Sequence, residues 1–317
     1  MTPDENQLPA VLSCWGLSFK RTLPEIQISG SPERTEFRIV VEDEEGRLLI
    51  VEKVSPKLRE HKVRIASTLE YLSSQGFEKA CPYLRNKDQE FLSLADGGLW
   101  QVVPYVTGVA LKRPEYVFDQ WLGKAMAETL LELRKSSAGI PFFADEPVFS
   151  LPSYIDQLVS VIQKRRLGVM PEVGRMQAFV KETLYPVYTE LPTGFCHGDY
   201  HAINIIWGEK RINALIDWEF LGRKPELYDA ANMVSCLGIE DPECLVGAVV
   251  VDFIRALRRS GAYAEKSFEH LPALVIAMRF AWVSEWLRKK DEEMLRLEFD
   301  YFDLLTEHLA GLRSAWQ

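Results

Sequence analysis

Cysteine is scarce and unpatterned: the five in 317 residues are Cys14, Cys81, Cys196, Cys236 and Cys244, odd in number and without a CxxC. That excludes a disulfide framework and a zinc knuckle and leaves reduced, buried thiols as the expectation. Apolar runs are short. None approaches the ~18 residues of a membrane span, and the polar, acidic start "MTPDENQLPA" lacks the basic-then-apolar order of a signal peptide. A cytoplasmic protein with no membrane partner is therefore expected. Basic runs are missing too, and a formal charge of −9 gives no surface on which nucleic acid would land non-specifically. A Walker A motif occurs nowhere, which removes the P-loop kinases. There is no internal repeat and no low-complexity segment.

The chain holds 47% hydrophobic and 26% charged residues, an ordinary globular mixture, and its length suits two lobes better than one core. Two β-rich runs, "FRIVV" and "RLLIV", flank the acidic turn "EDEEG" and predict a hairpin. "SPKLREHKVRIASTLEYLSSQG" follows, with Ser55 and Pro56 as start signals, apolar residues at near-helical spacing and Gly76 as a stop, so a helix is expected. Strand candidates "EFLSLA" and "LWQVVPYV" come next, joined by "DGG". Beyond about Thr107 the segments become amphipathic and helical, down to the long "LPALVIAMRFAWVSEWLRKKDEEMLRLEFDYFDLLTEHL". One stretch interrupts them: "NIIW" and "INALI" read as strands around the turn "GEKR". The expected fold class is α+β, with a small β-rich N-terminal lobe (residues 1–106), a larger, mainly helical lobe (residues 107–317) and a ligand cleft between them.

The interrupting stretch, "FCHGDYHAINIIW", concentrates polar chemistry between apolar residues. Its Gly198-Asp199-Tyr200-His201 matches the GDxH start of dinuclear metallophosphoesterases, whose metals take Asp and His ligands. The remaining histidines, His61, His270 and His308, each follow a glutamate in a predicted helix, and no Gly-Asn-His stretch completes such a cluster. Phosphoryl transfer from a nucleotide fits better. It needs a carboxylate to orient and accept the proton of an attacking hydroxyl, and oxygen ligands that hold Mg²⁺ across the donor phosphates. Asp199 supplies the first, Asn204 a neutral carbonyl oxygen for the metal, and "ALIDWE" returns Asp217 to the same edge across the predicted hairpin.

In "HGDYHAIN" and "IDWE" the chain resembles the aminoglycoside phosphotransferase and choline kinase family, which shares its fold core with the protein kinases. The resemblance implies a bilobal kinase-like fold, ATP and Mg²⁺ as cofactors, and a small-molecule hydroxyl acceptor. It makes Asp199 the catalytic base and Asn204 and Asp217 the magnesium ligands. "GRKPELYDAANMV" resembles the family's G-x-x-x-x-D-L-A segment, with Asp229 bracing the catalytic loop. "PYVTGVAL" resembles the crossing between lobes, which implies Val103 as gatekeeper, the Pro104 carbonyl accepting from adenine's amino group and the Val106 N–H donating to the base.

The phosphate side is less patterned. The loop "ISGSPERT" has one glycine rather than G-x-G-x-x-G, although Ser29, Gly30 and Ser31 could donate to phosphate. Lys53 is the candidate strand cation with Glu60 as its candidate ion-pair partner, yet Glu52 stands beside it, and strand alternation sends Glu52 and Lys53 to opposite faces. His197 is expected to support the loop, His201 to brace it or to meet the transferring phosphate, and the stripe of Phe280, Trp282 and Trp286 to be core. The rival functions are a protein Ser/Thr kinase of the same fold and a catalytically weak nucleotide-binding regulator.

Overall fold

The computed structural model describes residues 7–28, 35–143, 146–165 and 167–317. Ser29, Gly30 and Ser31 lie outside the described residues. The chain divides into two compact units, the first formed by residues 1–109 with 139–142 and 213–216, the second by the rest.

The first unit opens with a short helix, α1 (Leu8–Ser13), followed by strands β1 (Phe19–Thr22), β2 (Thr35–Asp43) and β3 (Leu48–Val54), helix α2 (Arg59–Ser74), and strands β4 (Ser93–Ala95) and β5 (Gly98–Pro104). The five strands form one antiparallel sheet in the order β1-β2-β3-β5-β4. The hairpin read from "FRIVV" and "RLLIV" is present, with Val41 opposite Leu49 and Ile39 opposite Val51. The helix read after Pro56 begins as a 3₁₀ turn, Pro56–Leu58, and becomes α-helical at Arg59. Helix α1 carries Pro9 in its first turn but no side-chain N-cap. It forms because Leu8, Val11 and Leu12 bury themselves against Val41, Leu49, Val51, Trp100 and Val102, a sheet face that would otherwise meet water.

The second unit is mainly helical: α3 (Trp121–Ser136), α4 (Leu151–Lys164), α5 (Met170–Thr183) and the single turn α6 (Tyr185–Tyr188) precede its strands. Strand β6 (Thr193–Cys196) leads into the polar stretch, β7 (Ile205–Gly208) follows and forms a two-stranded ribbon with β8 (Arg211–Leu215), whose residues 213–215 count with the first unit, and β9 (Gly222–Pro225) pairs antiparallel with β6. Then come α7 (Tyr228–Glu240), α8 (Ala248–Arg259), α9 (Glu265–Glu269), α10 (Leu271–Lys289), α11 (Glu292–Glu307) and α12 (Leu309–Ala315). The long amphipathic segment is thus two helices rather than one. Lys290 turns left-handed at φ 59, and the Asp291 carboxylate caps the next helix by accepting from the Met294 N–H at 3.0 Å. An exposed Lys-Lys-Asp run carries no hydrophobic reason to break, so only the cap chemistry hints at it. Inside the unit, Arg279 pairs with Glu298 and donates to the Ser235 hydroxyl at 2.8 Å, joining α7, α10 and α11 through a fully buried ion pair.

Among the described residues no helix is long and apolar enough to cross a membrane, and all five cysteines are free thiols.

Candidate active site

The polar stretch is shaped by one glycine and one buried carboxylate. Gly198 sits at φ +88, and a Cβ there would come within 2.0 Å of the Phe220 carbonyl oxygen, so neither the conformation nor the space accommodates a side chain. Asp229, at the start of α7, accepts from the His197 N–H at 2.7 Å and the Gly198 N–H at 2.8 Å. This is the bracing expected of it. The two N–H groups belong to a loop leaving β6, and a carboxylate aimed at them satisfies both.

Burial pushes the Asp229 carboxyl up to about 6, against the pull of the Gly198 and His197 N–H groups and of the Lys224 charge. Because this value lies above the 3.8 of a free aspartate, the folded state holds the proton more tightly than the unfolded chain. Its stabilising contribution is therefore full below about pH 4 and is lost as the pH rises through about 6. Residue-specific carboxyl titration by ¹³C NMR should find Asp229 near 6; a midpoint at or below 4 would contradict this account of the loop.

His197 is fully buried, its ring 4.3 Å from that of Trp218, and its Nδ1 accepts from the Asp199 N–H at 3.2 Å. It therefore supports the loop. Trp218 directly follows Asp217, which holds a left-handed conformation (φ 58, ψ 62) at the end of the ribbon. The Trp218–His197 stack and the close approach of Phe220 to Gly198 thus bring the Asp217 segment against the Asp199 loop.

Asp199 is a partly buried carboxylate gripped from several directions. Oδ2 accepts from Asn204 Nδ2 at 2.9 Å, Oδ1 lies 3.4 Å from Asn232 Nδ2, and His201 Nε2 is 3.5 Å from Oδ1. Burial raises its pKa, but the His201 ring and the Asn204 amide outweigh it and hold the group below its ordinary value. The carboxylate is consequently ionised at neutral pH.

Asn204 Nδ2 also donates to the Asp199 carbonyl at 2.9 Å and lies 3.1 Å from His201 Nε2. With the amino end turned toward Asp199, the amide's carbonyl oxygen is directed elsewhere, as a metal ligand would need. Asn204 and Asp217 provide hard oxygens of the kind Mg²⁺ takes, usually alongside water and substrate phosphates. Among the described residues no three His, Cys, Asp or Glu side chains are grouped to hold a metal, so the protein's own oxygens would supply only part of a shell.

Asn232 was not singled out by sequence. It lies on α7 one turn after Asp229, and its amide also reaches the Tyr200 carbonyl at 3.4 Å. The thiol of Cys236, pushed up to about 12 mainly by burial, stays protonated and donates to Asn232 Oδ1 at 3.8 Å, turning Nδ2 toward Asp199. The i, i+3 spacing from Asp229 in "DAANMV" was the available signal. The aromatic stripe divides: Phe280 is fully buried, whereas Trp282 and Trp286 are half-buried, stacked at 5.7 Å, and Trp282 meets the His201 ring at 5.8 Å.

On the first unit's sheet, Val103 and Pro104 end β5 opposite Ile50 and Leu49, and the Tyr105 N–H donates to the Leu48 carbonyl at 3.0 Å. Val103, Pro104 and Val106 are all half-buried. Lys53 requires a correction. It stands in a row with Phe37 and Trp100, on the face covered by α1, and its ion pair is with Glu36 at 3.7 Å rather than with Glu60. Strand alternation places it on the face opposite Val103. Glu60 is exposed in the first turn of α2, where a carboxylate complements the helix dipole.

A helical unit that presents an ionised, amide-held aspartate on a loop, in a chain whose other unit is built on a five-stranded antiparallel sheet, defines a phosphotransferase with the bilobal α+β fold of the kinases. The chain belongs to the phosphotransferase enzyme family, whose sequence profile matches residues 28–268. It is an ATP-dependent kinase with an alcohol group as acceptor. A homoserine kinase of Granulibacter bethesdensis is 22% identical over 252 residues, covering 77% of this chain and 76% of the relative. Among solved structures, an aminoglycoside phosphotransferase from Alicyclobacillus acidocaldarius superposes with a TM-score of 0.68 at 14% identity, over 100% of this chain and 96% of the other. Amicoumacin kinase in complex with AMP-PNP and Ca²⁺ superposes with a TM-score of 0.63 at 16% identity, over 95% and 94%.

Proposed function

We propose that this protein transfers the γ-phosphate of ATP to the hydroxyl of a small amino-alcohol, with Asp199 as the base and Mg²⁺ held by Asn204 and Asp217. The observation that carries the reading is the Asp199 carboxylate itself, kept ionised and held in place by Asn204, His201 and Asn232. An acceptor hydroxyl hydrogen-bonded to it is aimed in line with the donor phosphate, and its proton passes to Oδ1 or Oδ2 as the new P–O bond forms and the bond from the γ-phosphorus to the β,γ-bridging oxygen breaks, releasing ADP. Magnesium, when bound, neutralises charge on the donor phosphates. Val103, Pro104 and Val106 are proposed to meet the adenine.

Both the curated relative and the structural neighbours support a small acceptor, and homoserine and the aminoglycosides each carry an amine as well as a hydroxyl. ATP consumption measured against amino-alcohols, sugars, aminoglycosides and a generic protein substrate tests this. Turnover with an amino-alcohol is expected. Turnover confined to the protein substrate would make it a protein kinase, and nucleotide binding without any turnover would make it a regulator.

For Asp217→Ala, calorimetry should show Mg²⁺-dependent AMP-PNP binding weakened by about 10-fold or more, as expected when a charged ligand group is removed. The metal-independent component should be unchanged. Equal affinity with and without Mg²⁺ in the parent protein would remove Asp217 from this role.

A further inference from the structure

The sheet register of the first unit separates two rows of side chains, and the charged row is not the one that holds Lys53. On one face Phe37, Lys53 and Trp100 stand across β2, β3 and β5, with the Phe37 and Trp100 rings edge to face at 6.4 Å. The hydrophobic cluster that includes α1 covers this face. On the other face Val40, Ile50 and Val103 form one row, and Arg38, Glu52 and Gln101 form the next. Same-face rows are about 6–7 Å apart along a strand. Arg38 is therefore rooted one row from Val103, on Val103's own face.

Within that row Glu52 is 4% exposed and Gln101 is fully buried. Gln101 Nε2 donates to Glu52 Oε2, and Arg38 Nε pairs with Glu52 Oε1. A carboxylate this deep costs stability unless a cation and hydrogen bonds compensate it. The arrangement makes chemical sense if the carboxylate's task is to hold the guanidinium. Arg38 keeps 26% of its side chain accessible, and a guanidinium presents its donors in a planar fork suited to phosphate.

We infer that Arg38, oriented by Glu52, is the cation that binds the donor nucleotide's phosphates, in place of the strand lysine. This rests on the nucleotide reading proposed above. Lys53, on the face packed by α1, has no part in it.

Calorimetry with AMP-PNP plus Mg²⁺, and separately with adenosine, tests it on the full chain. Arg38→Met should weaken AMP-PNP binding by about 10- to 100-fold, the worth of charge-assisted hydrogen bonds. Adenosine, which has no phosphate, should bind Arg38→Met within about twofold of the parent, and Lys53→Met should bind both ligands as the parent does. A merely structural role for Arg38 predicts equal loss for adenosine and AMP-PNP, and that result would overturn the inference. So would unchanged AMP-PNP binding by Arg38→Met, or an equal loss in Lys53→Met, while the nucleotide reading itself stood. A parent protein that binds neither ligand would sink both. If Arg38→Met does not fold, Arg38→Lys keeps the charge but loses the fork. It should weaken AMP-PNP by about 3- to 10-fold with adenosine unchanged, and no difference between the two ligands would reject the assignment.

Discussion

Asp199→Asn should lower turnover by about 10²- to 10⁴-fold, the usual worth of a positioned general base, while AMP-PNP binding changes little. The substitution preserves size and leaves an oxygen able to accept from Asn204 Nδ2, which now donates to Asp199 at 2.9 Å. What disappears is the negative charge that His201 and Asn204 help to hold. Without it, a hydroxyl has no anion to point at and no destination for its proton. The measurement is kcat on the acceptor that the panel identifies, with a circular dichroism melt as the folding control. Activity equal to the parent would remove Asp199 from the chemistry.

Gly198→Ala should damage the same loop by a different route. At φ +88 an alanine is strained by about 1–2 kcal/mol, and its Cβ would lie 2.0 Å from the Phe220 carbonyl oxygen and 2.6 Å from the carbonyl carbon. These are backbone atoms, so no rotamer change relieves the contact. Overpacking of a close-fitted interior adds about 1–3 kcal/mol, for a total of about 2–5 kcal/mol in chemical denaturation. Whatever structure survives must move either the Phe220 segment, which continues from Asp217 and Trp218, or the N–H groups held by Asp229. Activity should therefore fall even at temperatures where the variant remains folded. An alanine variant with parental stability and turnover would show that the loop tolerates a side chain.

The clustering of polar side chains in this stretch was legible because it is local. His197, Asp199 and Asn204 fall within eight positions, and a loop between two short strands constrains where such side chains can go. Asp229 was legible only through the resemblance of "GRKPELYDAANMV" to the family's G-x-x-x-x-D-L-A segment. Asn232 and Cys236 were not. Their part in holding Asp199 depends on where α7 lies against the loop, and a helix face polar at one residue per turn looks the same whether it meets a carboxylate or water.

The alternating hydrophobicity of β2 and β3, the turn between them and the amphipathic periods of the later helices settle an α+β chain in advance, because burying apolar surface at those periods leaves few alternatives. They also require Glu52 and Lys53 to face opposite ways. Which of the two would stand with Val103 could not be read there, since Leu49 and Val51 on one side and Ile50 and Val54 on the other are equally apolar. The choice came from outside the strand. Leu8, Val11 and Leu12 of α1 bury the face with Trp100, leaving Glu52 to gather Arg38 and Gln101 on the other. Packing between segments distant in sequence made that decision, through the free energy of covering one apolar face and compensating one buried charge.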